Sequence, residues 1–154
     1  MPEFPLRCRV AGLPTTKGHK TSGTRKDGTR FLRETGGDAL KTWMANLTDG
    51  MKAMMADAGA EPLDVPVFLR VTFFMPWMKD MRKAPPYPTA RSSKYSGDLD
   101  TLERSVGDAG TAAGVWTDDS LIVGAMSWKR WAPEGEPGGA QIQVWPASMI
   151  DQKG

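Results

Sequence analysis

The chain has 154 residues, of which 40% are apolar and 25% charged, with a formal net charge of +2. These values lie near the globular average, exclude collagen-like, mucin-like and wholly disordered chains, and predict one domain over 1–154. No apolar run approaches the roughly 18 residues that span a bilayer, and the opening Met-Pro-Glu-Phe-Pro lacks the basic and apolar regions of a signal peptide, so a soluble cytoplasmic protein is expected.

Leu6 to Leu13 reads as a short opening strand. From Pro14 to Arg33 the basic residues Lys17, Lys20, Arg25, Lys26, Arg30 and Arg33 face only Asp27. This stretch has no helical or strand period, so a basic loop over about 14–36 is expected. Leu40, Trp43, Met44, Leu47, Met51, Met54, Met55 and Ala58 then recur at three and four and mark an amphipathic helix stopped by Gly59. The methionines fit one buried face better than an adaptable binding groove.

Val67, Leu69, Val71, Phe73 and Met75 alternate with their neighbours as a strand ended by Pro76. A second basic loop, about 76–96, carries Lys79, Arg82, Lys83, Arg91 and Lys94 against Asp80. Leu99, Leu102, Val106, Ala109 and Ala113 predict a second helix ended by Gly114. Leu121 to Trp131 and Ala140 to Trp145 read as two strands joined through Pro133 to Gly139. The order β-α-β-α-β-β predicts an α+β fold, two main helices on a small mixed sheet. One basic loop could be merely a solvated surface, but two on one small domain favour a polyanion, with Tyr87, Phe31 and His19 placed to stack on bases or sugars.

The acids concentrate around the second helix. Asp98 and Asp100 stand just before it, where extended backbone points residues two apart to the same side. Asp118 and Asp119 follow its end, and a helix of about 15 residues spans roughly 22 Å. The two clusters can therefore share a site only if the chain doubles back after Gly114. Each acid also has a structural reading. Asp100 with Glu103 fits a capping box, and Asp118-Asp119 fits a turn. Gathered together, carboxylates repel by roughly 1 kcal/mol per pair at 4 Å even in water, a cost that a divalent cation removes. Mg²⁺ takes hard oxygen ligands, commonly one or two carboxylates with waters and substrate phosphate, and suits phosphodiester hydrolysis by metal-activated water. Arg104, one turn past Asp100, either pairs with Asp100 or Glu103 or neutralises charge on a reacting phosphate. Trp116, beside the acids, reads as a packing anchor for the Asp118-Asp119 turn. A single Cys (Cys8) and a single His (His19) exclude an internal disulfide and the usual four-ligand zinc site, and leave little for Ser-His-Asp or Cys-His chemistry. No phosphate-binding glycine loop is present.

Asp98-Leu-Asp-Thr-Leu-Glu-Arg, Asp108-Ala, and Gly114-Val-Trp-Thr-Asp-Asp-Ser-Leu-Ile-Val together resemble the RusA family of Holliday junction resolvases, whose pattern is Asp-Leu-Asp-Asn-Leu, a helix, and Gly-x-Trp-x-Asp-Asp-x-x-Val. The match is dense over Asp98 to Val123. It is looser in Gly12-Leu-Pro-Thr-Thr-Lys-Gly, which is similar to the opening of many phage-borne members. The resemblance implies a single RusA-like domain working as a homodimer. It implies an endonuclease using Mg²⁺, with Mn²⁺ as an alternative, that resolves four-way DNA junctions by paired symmetric nicks. Its metal acids fall on Asp98, Asp100 and Asp119, with Asp118 as a supporting acid. The family's essential Lys falls on Arg104, which keeps the charge but not the compact ammonium. Thr101 stands where the family has Asn. The basic residues of both loops are the expected DNA contacts, with no membrane and no small-molecule cofactor. If phage-encoded, the protein would act in the bacterial host cytoplasm. Two alternatives stay open: a branched-DNA-binding protein without catalysis, and a less selective branched-DNA nuclease acting before phage DNA packaging.

Overall fold

The structure, a computed structural model, describes residues 2–16, 20–24, 26–34, 37–76, 85–89 and 97–150. β1 (Leu6–Ala11), β6 (Gly139–Pro146), β4 (Val67–Met75) and β5 (Ile122–Trp131) lie side by side in that order. β6 is antiparallel to both neighbours, whereas β4 and β5 run parallel. The sheet is therefore mixed, and with its two helices gives the expected α+β fold.

The inward side chains of β4 alternate as the sequence requires: Val67, Leu69, Val71, Phe73 and Met75 are all buried. α1 (Gly37–Ala58) seals them with Trp43, Leu47, Met51, Met54 and Met55, so its methionines are core. α2 (Leu99–Ala113) adds Leu102, Val106 and Ala109. Truncating one such Leu to Ala would cost about 2–5 kcal/mol. Gly59 and Gly114 follow the helices with φ of 60° and 77°, a left-handed region that glycine enters without strain. Cys8 in β1 is half-buried, and desolvation pushes its thiol up to about 11, which leaves it largely un-ionised and inert.

The first basic stretch departs from expectation. It is not all loop: β2 (Lys20–Thr24) and β3 (Arg30–Glu34) form an antiparallel hairpin, with Thr24 opposite Arg30. Asp27 closes its turn by accepting hydrogen bonds from the Thr29 N–H at 2.9 Å and the Thr29 hydroxyl at 2.6 Å. α1 also starts three residues before Leu40, with Asp38 in its first turn, where a carboxylate complements the helix dipole. Among the described residues no helix is long and apolar enough to cross a membrane.

Candidate active site

β4, α2 and β5 form a strand–helix–strand unit, so β5 runs back along α2. Three contacts mark the path. Asp119 lies against Gly107, where an added Cβ would sit 3.8 Å from the Asp119 Cβ. The Ser127 hydroxyl donates to Glu103 Oε2. Lys129 Nζ donates to the Gly97 carbonyl at 2.7 Å. This is the doubling back that the two acidic clusters need if they are to share a site.

Trp116 sets the turn. It is only 1% exposed and packs tightly against Gly110, where a Cβ would fall 2.2 Å from its ring. Its indole N–H donates to the Gly107 carbonyl at 3.3 Å and to the Thr111 hydroxyl at 3.1 Å. A bridge between Leu63 and Trp116 holds the other side. Trp116 is thus an anchor, out of reach of any base.

A cavity of about 270 Å³ opens between α2 and the start of β5, lined by Asp100, Glu103, Arg104, Gly107, Asp119, Leu69 and Ile122. Asp100, Glu103/Arg104 and Gly107 are one, and then two, turns apart and share a helix face. Asp119 packs beside Gly107, at a spacing that leaves ordinary van der Waals contact for a Cβ there. Asp100 and Asp119, assigned to opposite ends of α2 by sequence, therefore share one cleft, with Arg104 on its wall.

Asp98 and Asp118 do not line it. Asp98 is the N-cap of α2 in extended conformation (φ −68°, ψ 142°), and its carboxylate makes no capping hydrogen bond. Instead its charge acts on Lys129, whose ammonium burial pulls down and Asp98 pulls back up. Asp118 caps a short 3-10 turn (Asp119–Leu121) by accepting from the Ser120 N–H at 2.8 Å. That bond and the Ser120 hydroxyl hold its carboxyl below the usual carboxylate range.

Two local expectations are overturned. Asp100 does not precede the helix in extended backbone but lies in its first turn, because the helix begins at Leu99. The Asp100–Glu103 capping box is also absent: Asp100 Oδ1 accepts from the Thr101 N–H at 2.9 Å, and Glu103 turns to Ser127. Glu103 and Lys129 are the residues that sequence reasoning missed. Their signal was the alternation of β5, which turns Ser127 and Lys129 to the same side.

Among the described residues, no three acidic, His or Cys side chains converge closely enough to form a ready-made metal cage. The cleft's donors are nonetheless hard oxygens, two aspartates with a glutamate beside them, which suits a cation that keeps its waters and takes part of its shell from a phosphate. Of the expected DNA contacts, Lys26 is exposed in the hairpin turn, and Lys20, Arg30 and Arg33 lie on its strands. Lys17, Arg25, Lys79, Arg82, Lys83, Arg91 and Lys94 fall outside the described residues, as does His19. Of the other proposed stacking residues, Phe31 lies in β3 and Tyr87 is exposed. The start of the first basic segment does touch the motif, since Thr16 packs against Gly97 so tightly that a Cβ there would fall 1.9 Å from its methyl.

Fold and cleft together define an α+β protein with a carboxylate-lined cleft where a crossover helix meets the edge strand of a mixed sheet. The family model described as Endodeoxyribonuclease RusA matches residues 13–144, most of the chain and all of that cleft. The chain belongs to the RusA endodeoxyribonuclease family of Holliday junction resolvases and is a DNA endonuclease. No curated protein matches it.

Proposed function

We propose that the chain is a homodimeric endonuclease that resolves four-way DNA junctions by paired symmetric nicks with Mg²⁺, working as a single domain in the cytoplasm. The observation that carries this reading is the shared cleft of Asp100 and Asp119 beside Arg104, in a chain of the RusA family. Asp100 and Asp119, with Asp98 at the helix entrance, would hold the cation. When bound, it supplies water activation and charge neutralisation at the leaving oxygen.

The chain's own groups do the rest. Arg104 faces the phosphate and offsets charge that develops on its oxygens. Glu103, held by Ser127, adds a further acceptor for the cation's waters. Asp118 keeps the Asp119 turn in shape. The basic hairpin and the second basic segment attract phosphates, so binding weakens by roughly 10³-fold or more between 50 and 200 mM salt if about six phosphates are contacted. A two-fold dimer gives two equivalent cleavage sites for two equivalent strands.

The test is a gel assay of wild type and Asp100→Asn on a labelled mobile four-way junction with Mg²⁺ or EDTA, followed by ligation. Ligatable nicks that need Mg²⁺ and vanish in the variant are expected. Junction that is shifted but uncut in every lane would overturn the proposal.

A further inference from the structure

The helices cover one face of the sheet, and the opposite face has its own composition. Strand alternation and register place Arg7 and Arg9 of β1, Gln141, Gln143 and Trp145 of β6, Phe68, Arg70, Thr72 and Phe74 of β4, and Met126, Trp128 and Arg130 of β5 on it. Three ring contacts confirm the shared face: Arg9 lies 4.4 Å over Phe74, Arg130 lies 5.6 Å from the Trp128 ring centre, and Phe68 and Trp145 are 5.9 Å apart. All four arginines are exposed, and Trp128 is 46% exposed. The four strands carry no acidic residue. A carboxylate at the rim, Glu136, lies 4.0 Å from Arg9.

We propose that this sheet face binds a single-stranded segment of nucleic acid, with bases stacked on Trp128 and the neighbouring rings and phosphates paired with Arg7, Arg70 and Arg130. Charge decides the occupant. A second copy docked here about a two-fold axis would set four arginines against the same four, an unfavourable arrangement that a polyanion turns into attraction. Ring faces and planar guanidinium groups on a flat sheet suit unpaired bases, whereas a duplex would offer them phosphates alone. Four strands about 4.8 Å apart give a platform roughly 14 Å across, wide enough for a few nucleotides. A hollow of about 380 Å³ adjoins it at Phe68, lined also by Val123, Gly124, Ala147 and Ile150, where an unstacked base would be received. None of these residues lines the acidic cleft, so the proposal does not depend on that cleft's chemistry.

The experiment is fluorescence anisotropy of a labelled 12-nucleotide oligodeoxythymidylate with the full chain in EDTA, where no metal-dependent cleavage intervenes. Binding with quenched tryptophan emission is expected. Trp128→Ala should weaken it about tenfold or more. Arg70→Gln should lower the salt slope by about 0.7, the share of the one phosphate that it would no longer neutralise. Both side chains are exposed, so unchanged circular dichroism and melting should accompany these effects. Binding by both variants equal to wild type would overturn the proposal, as would the absence of wild-type binding. So would a dimer in gel filtration that Trp128→Ala breaks, since the face would then be covered by a second copy. Junction cutting with Mg²⁺ by wild type is scored separately, so either reading can fail alone.

Discussion

Lys129 donates a hydrogen bond from Nζ to the carbonyl of Gly97 at 2.7 Å, fastening the C-terminal end of β5 to the residue before Asp98. Strand and helix entrance are thereby held in register across 32 positions of chain. The ammonium does this at a desolvation cost that the Asp98 charge partly offsets.

Lys129 should therefore act by positioning Asp98. Lys129→Met, similar in length and uncharged, is expected to lower junction cleavage about 10–100-fold, the usual effect of losing an outer partner of a metal ligand. Lys129→Arg should restore part of it. Mg²⁺ titrations of the cleavage rate check the idea, since a displaced Asp98 raises the Mg²⁺ requirement. An unchanged Mg²⁺ dependence in Lys129→Met would refute it.

Asp100→Asn and Asp119→Asn should each reduce cleavage by at least about 10²-fold while leaving the metal-free fold intact. Asn keeps the oxygen with which Asp100 accepts from the Thr101 N–H, and neutralising one of two acids in a shared cleft relieves repulsion. Thermal melts in EDTA should match or exceed wild type. A marked drop in melting temperature would assign the acids to scaffold.

Gly110→Ala should destabilise the fold by about 1–2 kcal/mol. Helix propensity alone would favour Ala by about 1 kcal/mol, but its methyl would meet the buried Trp116 ring, and overpacking costs about 1–3 kcal/mol or more. Urea denaturation reads the sum. Cleavage should fall with it, because Trp116 sets the turn that presents Asp119.

Asp118 gives a pH signature. A carboxylate held below its ordinary 3.8 stabilises the fold fully above that value and ceases to do so as pH falls through its lower folded value. At pH 7, Asp118→Ala should melt below wild type, while Asp118→Asn, which keeps the acceptor, should melt close to it. Below about pH 4 the gap between wild type and Asp118→Ala should narrow. A gap unchanged from pH 7 to 3 would exclude the carboxylate as the cap.

The sequence made legible what periodicity carries. α1, α2 and β4 stand close to their apolar spacing, and the glycines after both helices close them. The hairpin of β2 and β3 was hidden because Lys-Thr-Ser-Gly-Thr shows no apolar alternation and its five-residue turn is not one of the short glycine turns that announce a hairpin. The capping box failed for a related reason: Asp98, not Asp100, takes the cap position, so every role shifts by two residues. The cleft was only half legible. Acid identities could be read, but their meeting depends on β5 running back along α2 and on Trp116 packing tightly against Gly110, and neither long-range relationship has a local signature.

The last described strand of the sheet in chain order is not at its edge but between β1 and β4, hydrogen-bonded to both. A growing polypeptide therefore cannot complete this sheet until residues 139–146 have left the ribosome, whereas every residue that lines the cleft is made before them. Fragments ending before that strand would carry every acid of the motif and yet leave β1 and the facing edge of β4 without their hydrogen-bonded partner. Such fragments would expose unpaired strand edges, which invite aggregation.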